Sequence, residues 1–198
     1  MLFILTCLVL FLMDYNRDGI PDMMQMSANL DIYDLGRLAR AMDVTVLVGV
    51  LPSGWLGAWC HRRREITMKP DLPRHIFRSV LAHELGHAHL GHSGYNAPDS
   101  IPERAADRFA AKHLIRMDDY HAAMATHGDD IHAMARELNV MPWVVNEFRR
   151  TTSGGLFSRV GMAVPPVAFD RPMCSIGVIG DCLDEDDEIM ILGNNVLR

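Results

Sequence analysis

The stretch His83-Glu84-Leu85-Gly86-His87-Ala88-His89-Leu90-Gly91-His92, followed by Glu103-Arg104-Ala105-Ala106-Asp107, decides how the rest of the chain is read. Residues 73–90 have the composition and spacing of one long helix, with Pro73 in its first turn and Gly91 near its end. On such a helix His83 and His87 stand four residues apart and share a face, so both imidazoles reach one ion. Glu84 is offset by roughly 100° and can address a water bound there. That spacing suits zinc, which takes neutral imidazoles and keeps one position open for water. It lowers the pKa of that water toward about 7, and a neighbouring carboxylate can then take the proton as hydroxide attacks a peptide carbonyl.

A third protein ligand is needed, and the next expected helix, residues 102–116, offers Glu103 and Asp107 on one face. Glu103 can complete the set, one Zn2+ per chain, and Asp107 can accept a hydrogen bond from the outer nitrogen of a ligand histidine. Taken alone the pair reads as a solvated helix face flanking Arg104 and Arg108; the motif upstream turns it into a ligand pair. His92 is either an outer partner of the ligands or a replacement for Glu103 in a three-histidine site. His89 and Asp99 are other nearby candidates. Hydrolysis also needs a group to hold the oxyanion, and Tyr95, His92, Tyr120 and His121 are all open for that role.

Working outward, residues 35–42 have apolar positions at helical spacing and lead into the β-branched run at 44–50. A turn at Pro52-Ser53-Gly54 precedes two more strand-like stretches, 55–60 and 64–68, joined by the basic tip His61-Arg62-Arg63-Arg64. That tip needs no function as a solvated turn; an acidic partner is its alternative. Downstream, helices are expected at 119–126, 130–138 and 142–150, with Asn139-Val140-Met141-Pro142 turning the chain between the last two. The expected fold class is α+β: a small antiparallel or mixed sheet, a helix pair carrying the site, and a helix-turn-helix-like end. Asn146, Arg149 and Arg150 could face a nucleic-acid groove. The same helix carries Trp143, Val144, Val145 and Phe148, which read as a packing face, so direct DNA binding is not expected. A DNA- or protein-binding regulator with a structural or vestigial zinc site is the competing function.

With 198 residues, nearly half apolar, the chain can bury a sizeable core. Its net charge of -6 is matched by the six acidic residues at 181 and 184–188, so charge neither supports nor excludes an anionic partner for the body. Five of ten histidines fall between His75 and His92, which points to metal. Four scattered cysteines contain no Cys-x-x-Cys pair; Cys174 and Cys182 could pair in an oxidising compartment. Residues 1–13 are apolar but lack a basic lead and a cleavage site, and fall short of the roughly 20 that span a bilayer. Three readings stay open for them: a poor signal or anchor, a buried N-terminal helix or strand, or a misassigned start with Met13 as the true first residue. A cytoplasmic protein without stable membrane anchoring is expected, export being the alternative. Asp14, Asn16, Asp18 and Asp22 sit at calcium-loop positions with Gly19 at the turn, yet Gln25 replaces the closing carboxylate. A polar turn is the simpler reading and Ca2+ the alternative. The organisation expected is an N-terminal stretch at 1–29, a catalytic domain at 30–151 and a weakly ordered acidic tail at 152–198.

The two motifs together, His83 to His92 and Glu-Arg-Ala-Ala-Asp-Arg-Phe-Ala-Ala-Lys-His-Leu-Ile at 103–115, resemble the ImmA/IrrE metallopeptidases, with weaker similarity over about 30–150. The resemblance implies a compact zincin-like fold related to the thermolysin-like zinc enzymes. It implies as substrate a transcriptional repressor, typically with a helix-turn-helix domain, cut to release the genes of a phage, a mobile element or a stress response. The apolar start, calcium-like loop and acidic tail depart from that pattern.

Overall fold

Helix α1 (Ile32–Ala41) begins at a reciprocal cap: Asp31 accepts from the Asp34 N–H at 2.9 Å, and the Asp34 carboxylate accepts from the Asp31 N–H at 3.2 Å. The structure, a computed structural model, describes residues 30–93 and 100–156. The apolar start, the calcium-like loop with Asp14, Asn16, Asp18 and Asp22, Tyr95, Asp99, the Cys174–Cys182 pair and the acidic tail lie outside the described residues.

Three short strands follow, β1 (Thr45–Val48), β2 (Gly57–Cys60) and β3 (Glu65–Met68), in the order β1-β3-β2. β1 runs parallel to β3, and β2 pairs antiparallel with β3, with Trp59 opposite Ile66. The sheet is therefore mixed, and β2 is an edge. The Lys69 N–H bonds Leu56 O at 2.9 Å, so the antiparallel alternation turns Ala58 and Cys60 toward β3 and the backbone groups of Gly57 and Trp59 outward.

α2 (Arg74–Leu90) is the central element, packing on α1, β2, β3 and α3 (Ile101–Leu114). It is buried continuously from Arg78 to Ala88, which explains why its apolar residues do not form a single stripe. Gly91, at φ 69°, ends it. α4 (Met117–His127), α5 (Ile131–Glu137) and α6 (Pro142–Leu156) complete the α+β fold. α6 continues past the expected break at 151. There the Thr151 hydroxyl bonds Glu147 O at 3.0 Å and the Thr152 hydroxyl bonds Phe148 O at 2.7 Å, inside the helical ladder. Among the described residues no helix is long and apolar enough to cross a membrane.

The helix-turn-helix outline at α5 and α6 is built into the core. Val144, Val145 and Phe148 are buried, and the Ser79 hydroxyl of α2 accepts the Met141 N–H at 2.9 Å. Arg149 pairs with Asp129 at 3.3 Å and Arg150 with Glu147 at 2.8 Å, so both cations expected to face a groove already have carboxylate partners.

Candidate metal centre

The site is made by the close approach of α2 and α3. A Cβ added at Gly86 would stand 2.9 Å from Ala106 Cα and 3.1 Å from both Ala106 O and Phe109 Cβ, so the two backbones meet where only glycine fits. This brings Glu103, in the first turn of α3, onto the histidine face of α2. His83 Nε2 and His87 Nε2 face each other at 2.9 Å; Glu103 Oε2 is 3.4 Å from the first and Oε1 3.4 Å from the second. Tetrahedral zinc with bonds of roughly 2.0–2.1 Å holds its ligand atoms about 3.3–3.4 Å apart, close to these separations. All three residues are buried and could hold a metal ion.

The outer nitrogens are engaged. His83 Nδ1 lies 2.9 Å from Asp107 Oδ1, so its N–H donates outward and leaves the Nε2 lone pair for the ligand position. His87 Nδ1 lies 2.9 Å from His92 Nδ1. Glu103 Oε1 and both oxygens of Glu84 are buried without a hydrogen-bond partner, a cost tolerated where a cation and a reacting proton are to be received. Trp59's backbone N–H faces the Glu84 carboxylate without closing a well-formed bond. Gly57 beside it leaves the room, since a Cβ there would meet Val80 Cγ1 at 2.6 Å and Glu84 Oε1 at 3.2 Å.

The field at this point favours positive charge. Burial works against the imidazolium of His83, yet hydrogen bonds to Asp107 and Glu103 outweigh it and push the group up to about 10. Burial likewise opposes ionisation of Glu103, and the imidazoles of His83 and His87 beside it overcome that and hold it at about 2. Burial pulls His87 down to about 4, as a neutral ligand requires, and pushes Glu84 up to about 8. The donor set therefore fits a divalent cation.

The model of the IrrE N-terminal-like domain, the peptidase M78 family, matches residues 42–148, more than half of the chain. The chain belongs to that family. No curated protein and no solved structure matches it. Its function is thus of the metallopeptidase type, and the IrrE-like span holds the sheet, both site helices, α4, α5 and the first half of α6.

Of the residues singled out in the IrrE-like sequence, the structure gathers His83, Glu84, His87, His92, Glu103 and Asp107. It does not bring Tyr120 to them: that ring is buried against Phe148 at 5.1 Å, with Arg149 and Asp129 as its charged neighbours. Tyr120 is corrected to a core residue, and His121 is exposed beside it. His89 points away from the ligands, its ring 5.2 Å from Phe109. His92 turns Nδ1 to the outer nitrogen of His87 rather than joining the ligand atoms, so the structure groups Glu103, not His92, with the two histidines. Sequence reasoning missed Gly57, Trp59 and Trp143, whose ring meets His83 edge-on at 5.9 Å. A glycine interrupting a strand was the available signal for the first. The tryptophans gave none, because their contacts are distant in sequence.

Proposed function

We propose that this chain is a zinc-dependent endopeptidase that hydrolyses a peptide bond in a protein substrate. The observation that carries the reading is Glu84, fully buried with both carboxylate oxygens unpartnered, adjoining two histidines and a glutamate whose ligand atoms converge. His83, His87 and Glu103 would hold the zinc ion, which would supply Lewis acidity at the scissile carbonyl and at the attacking water. Glu84 takes the proton of the attacking water and passes it to the leaving amine; burial, which raises its pKa, suits it to both transfers. Asp107 fixes the tautomer of His83, and His92 that of His87. The outward backbone groups of Gly57 and the carbonyl of Trp59 can pair with an extended substrate segment laid along β2.

The resemblance to the ImmA/IrrE metallopeptidases implies, as that substrate, a transcriptional repressor of a phage, mobile element or stress response, which the enzyme would meet in the cytoplasm. The test is incubation of the zinc-loaded protein with repressor-like proteins encoded beside it, against the Glu84→Gln variant. Cleavage should fall by about 10²–10⁴-fold while one zinc per chain is retained, because Glu84 is the base and not a ligand. A folded, zinc-loaded Glu84→Gln protein that cuts at the normal rate would sink the mechanism.

A further inference from the structure

Trp59 is fully buried at the edge of the sheet, and a buried indole N–H needs an acceptor. Its acceptor is the backbone carbonyl of His92, 3.0 Å away and 33 residues along the chain. His92 follows the left-handed Gly91 that ends α2, and it is fixed at two further points: its N–H bonds His87 O at 3.0 Å, and its ring Nδ1 stands 2.9 Å from His87 Nδ1. Two facing Nδ1 atoms share one proton. His87 Nε2 points at the ligand group and must keep its lone pair, so His87 Nδ1 carries the hydrogen and donates it to His92. The opposite tautomer, with His92 donating, would put the hydrogen of His87 on Nε2 and spoil it as a ligand. His83 has a carboxylate to set its tautomer; His87 has a neutral ring on a loop, which sets it only while that loop stays in place.

We propose that Trp59 is the residue that keeps it in place: a positioning residue whose indole N–H, through the His92 carbonyl, holds the His92 ring against His87 and so fixes the metal-binding tautomer of His87. Trp59 is suited to the task because it is immobile itself. It lies in register opposite Ile66, and the Arg64 guanidinium sits over its ring, 5.8 Å from the centroid. The same residue turns its backbone N–H toward Glu84, so one position on the edge strand serves both the base and a metal ligand. This inference rests on the zinc-peptidase reading above.

The experiment is a competition titration of the full chain with Zn2+ against a chromophoric chelator, together with the visible absorption of the Co2+-loaded protein. Trp59→Phe keeps a ring in the core and deletes the donor. It should weaken Zn2+ binding about tenfold and shift the Co2+ bands, as loss of an outer partner of a metal ligand does. His92→Ala should do at least as much, and adding Trp59→Phe to it should cost nothing further, since both act through one contact. Zn2+ binding by Trp59→Phe within twofold of the parent with an unchanged Co2+ spectrum overturns the proposal, and so do losses that multiply in the double variant. Should Trp59→Phe fail to fold, exchange of the Trp59 indole proton in the unsubstituted chain reads the same link. It should slow at least tenfold on adding Zn2+, and a rate that Zn2+ leaves unmoved overturns the link. A parent protein that binds no Zn2+ overturns the reading of the site as a whole; a parent that binds it beside an insensitive Trp59→Phe overturns only the role of Trp59.

Discussion

His113 is buried on α3 with its ring stacked on Phe109, centroids 4.1 Å apart, and its Nδ1–H donates to Phe109 O at 2.8 Å. Burial lowers its pKa, the bond to Phe109 opposes this, and the nearby positive charges of Lys112 and His89 reinforce it. In the window below the unfolded value of about 6.5 the unfolded chain binds a proton that the native chain refuses. Its contribution to stability is therefore complete above that pH and lost as pH falls. In urea titrations at pH 8 and pH 5, His113→Phe should lose less stability on acidification than the parent; equal losses would remove this assignment. His113 was not legible as a buried base, because nothing local separates it from the other histidines. The metal group was legible, since helical spacing alone puts His83 and His87 on one face and Glu103 and Asp107 on another. What spacing cannot show is a contact such as Trp59 to His92, which exists only once the sheet edge lies beside the end of α2.

At the scale of elements, the expected helices and strands are present with ends shifted by a few residues, and the α2–α3 contact is made at the small residue Ala106 of α3. Its other half, Gly86, was hidden inside the zinc motif, where it passes for a neutral spacer. Strand order was not legible either, because strands of four residues carry too short a pattern to reveal that β3 lies between β1 and β2. Gly86→Ala weighs two effects against each other. Helix propensity favours alanine by about 1 kcal/mol. The added Cβ, however, would meet the Ala106 backbone at 2.9 Å, and a backbone cannot rotate aside as a long side chain can. Overpacking of this kind costs about 1–3 kcal/mol and should win. Relief by moving α3 outward carries Glu103 with it, one turn from Ala106, so Zn2+ affinity should fall about tenfold along with the melting temperature. An alanine variant that melts higher and binds Zn2+ as tightly would show that the helices can separate without disturbing the ligand.

Across the whole molecule, Arg78 joins what the sequence read as separate parts. It is buried in α2, and its guanidinium donates to Leu30 O at 2.6 Å, Leu114 O at 3.0 Å, Leu138 O at 3.1 Å and Asn139 O at 3.0 Å. Those carbonyls belong to the approach to α1, the end of α3 and the turn between α5 and α6. The helix-turn-helix outline was thus legible as local structure but not as part of the catalytic core, because the bonds that attach it span about sixty residues. Burial lowers the pKa of Arg78, with Asp31 opposing, but a guanidinium remains charged across the working range. Arg78→Met fills similar space and leaves four carbonyls without that donor. Unmet buried acceptors cost about 1–3 kcal/mol each when water cannot replace the partner, and the turn at Leu138 and Asn139 is open enough for water to recover part of this. A total loss of about 3–5 kcal/mol is expected in urea unfolding. Arg78→Lys should recover only part of it, because three donors on a flexible stem cannot match a planar fork set among four carbonyls. If Arg78→Met unfolds within 0.5 kcal/mol of the parent, the helical end is held by its apolar contacts alone. A loss of the expected size, with Zn2+ still bound by the folded fraction, places Arg78 in the joining of the elements and leaves the metal centre to its own ligands.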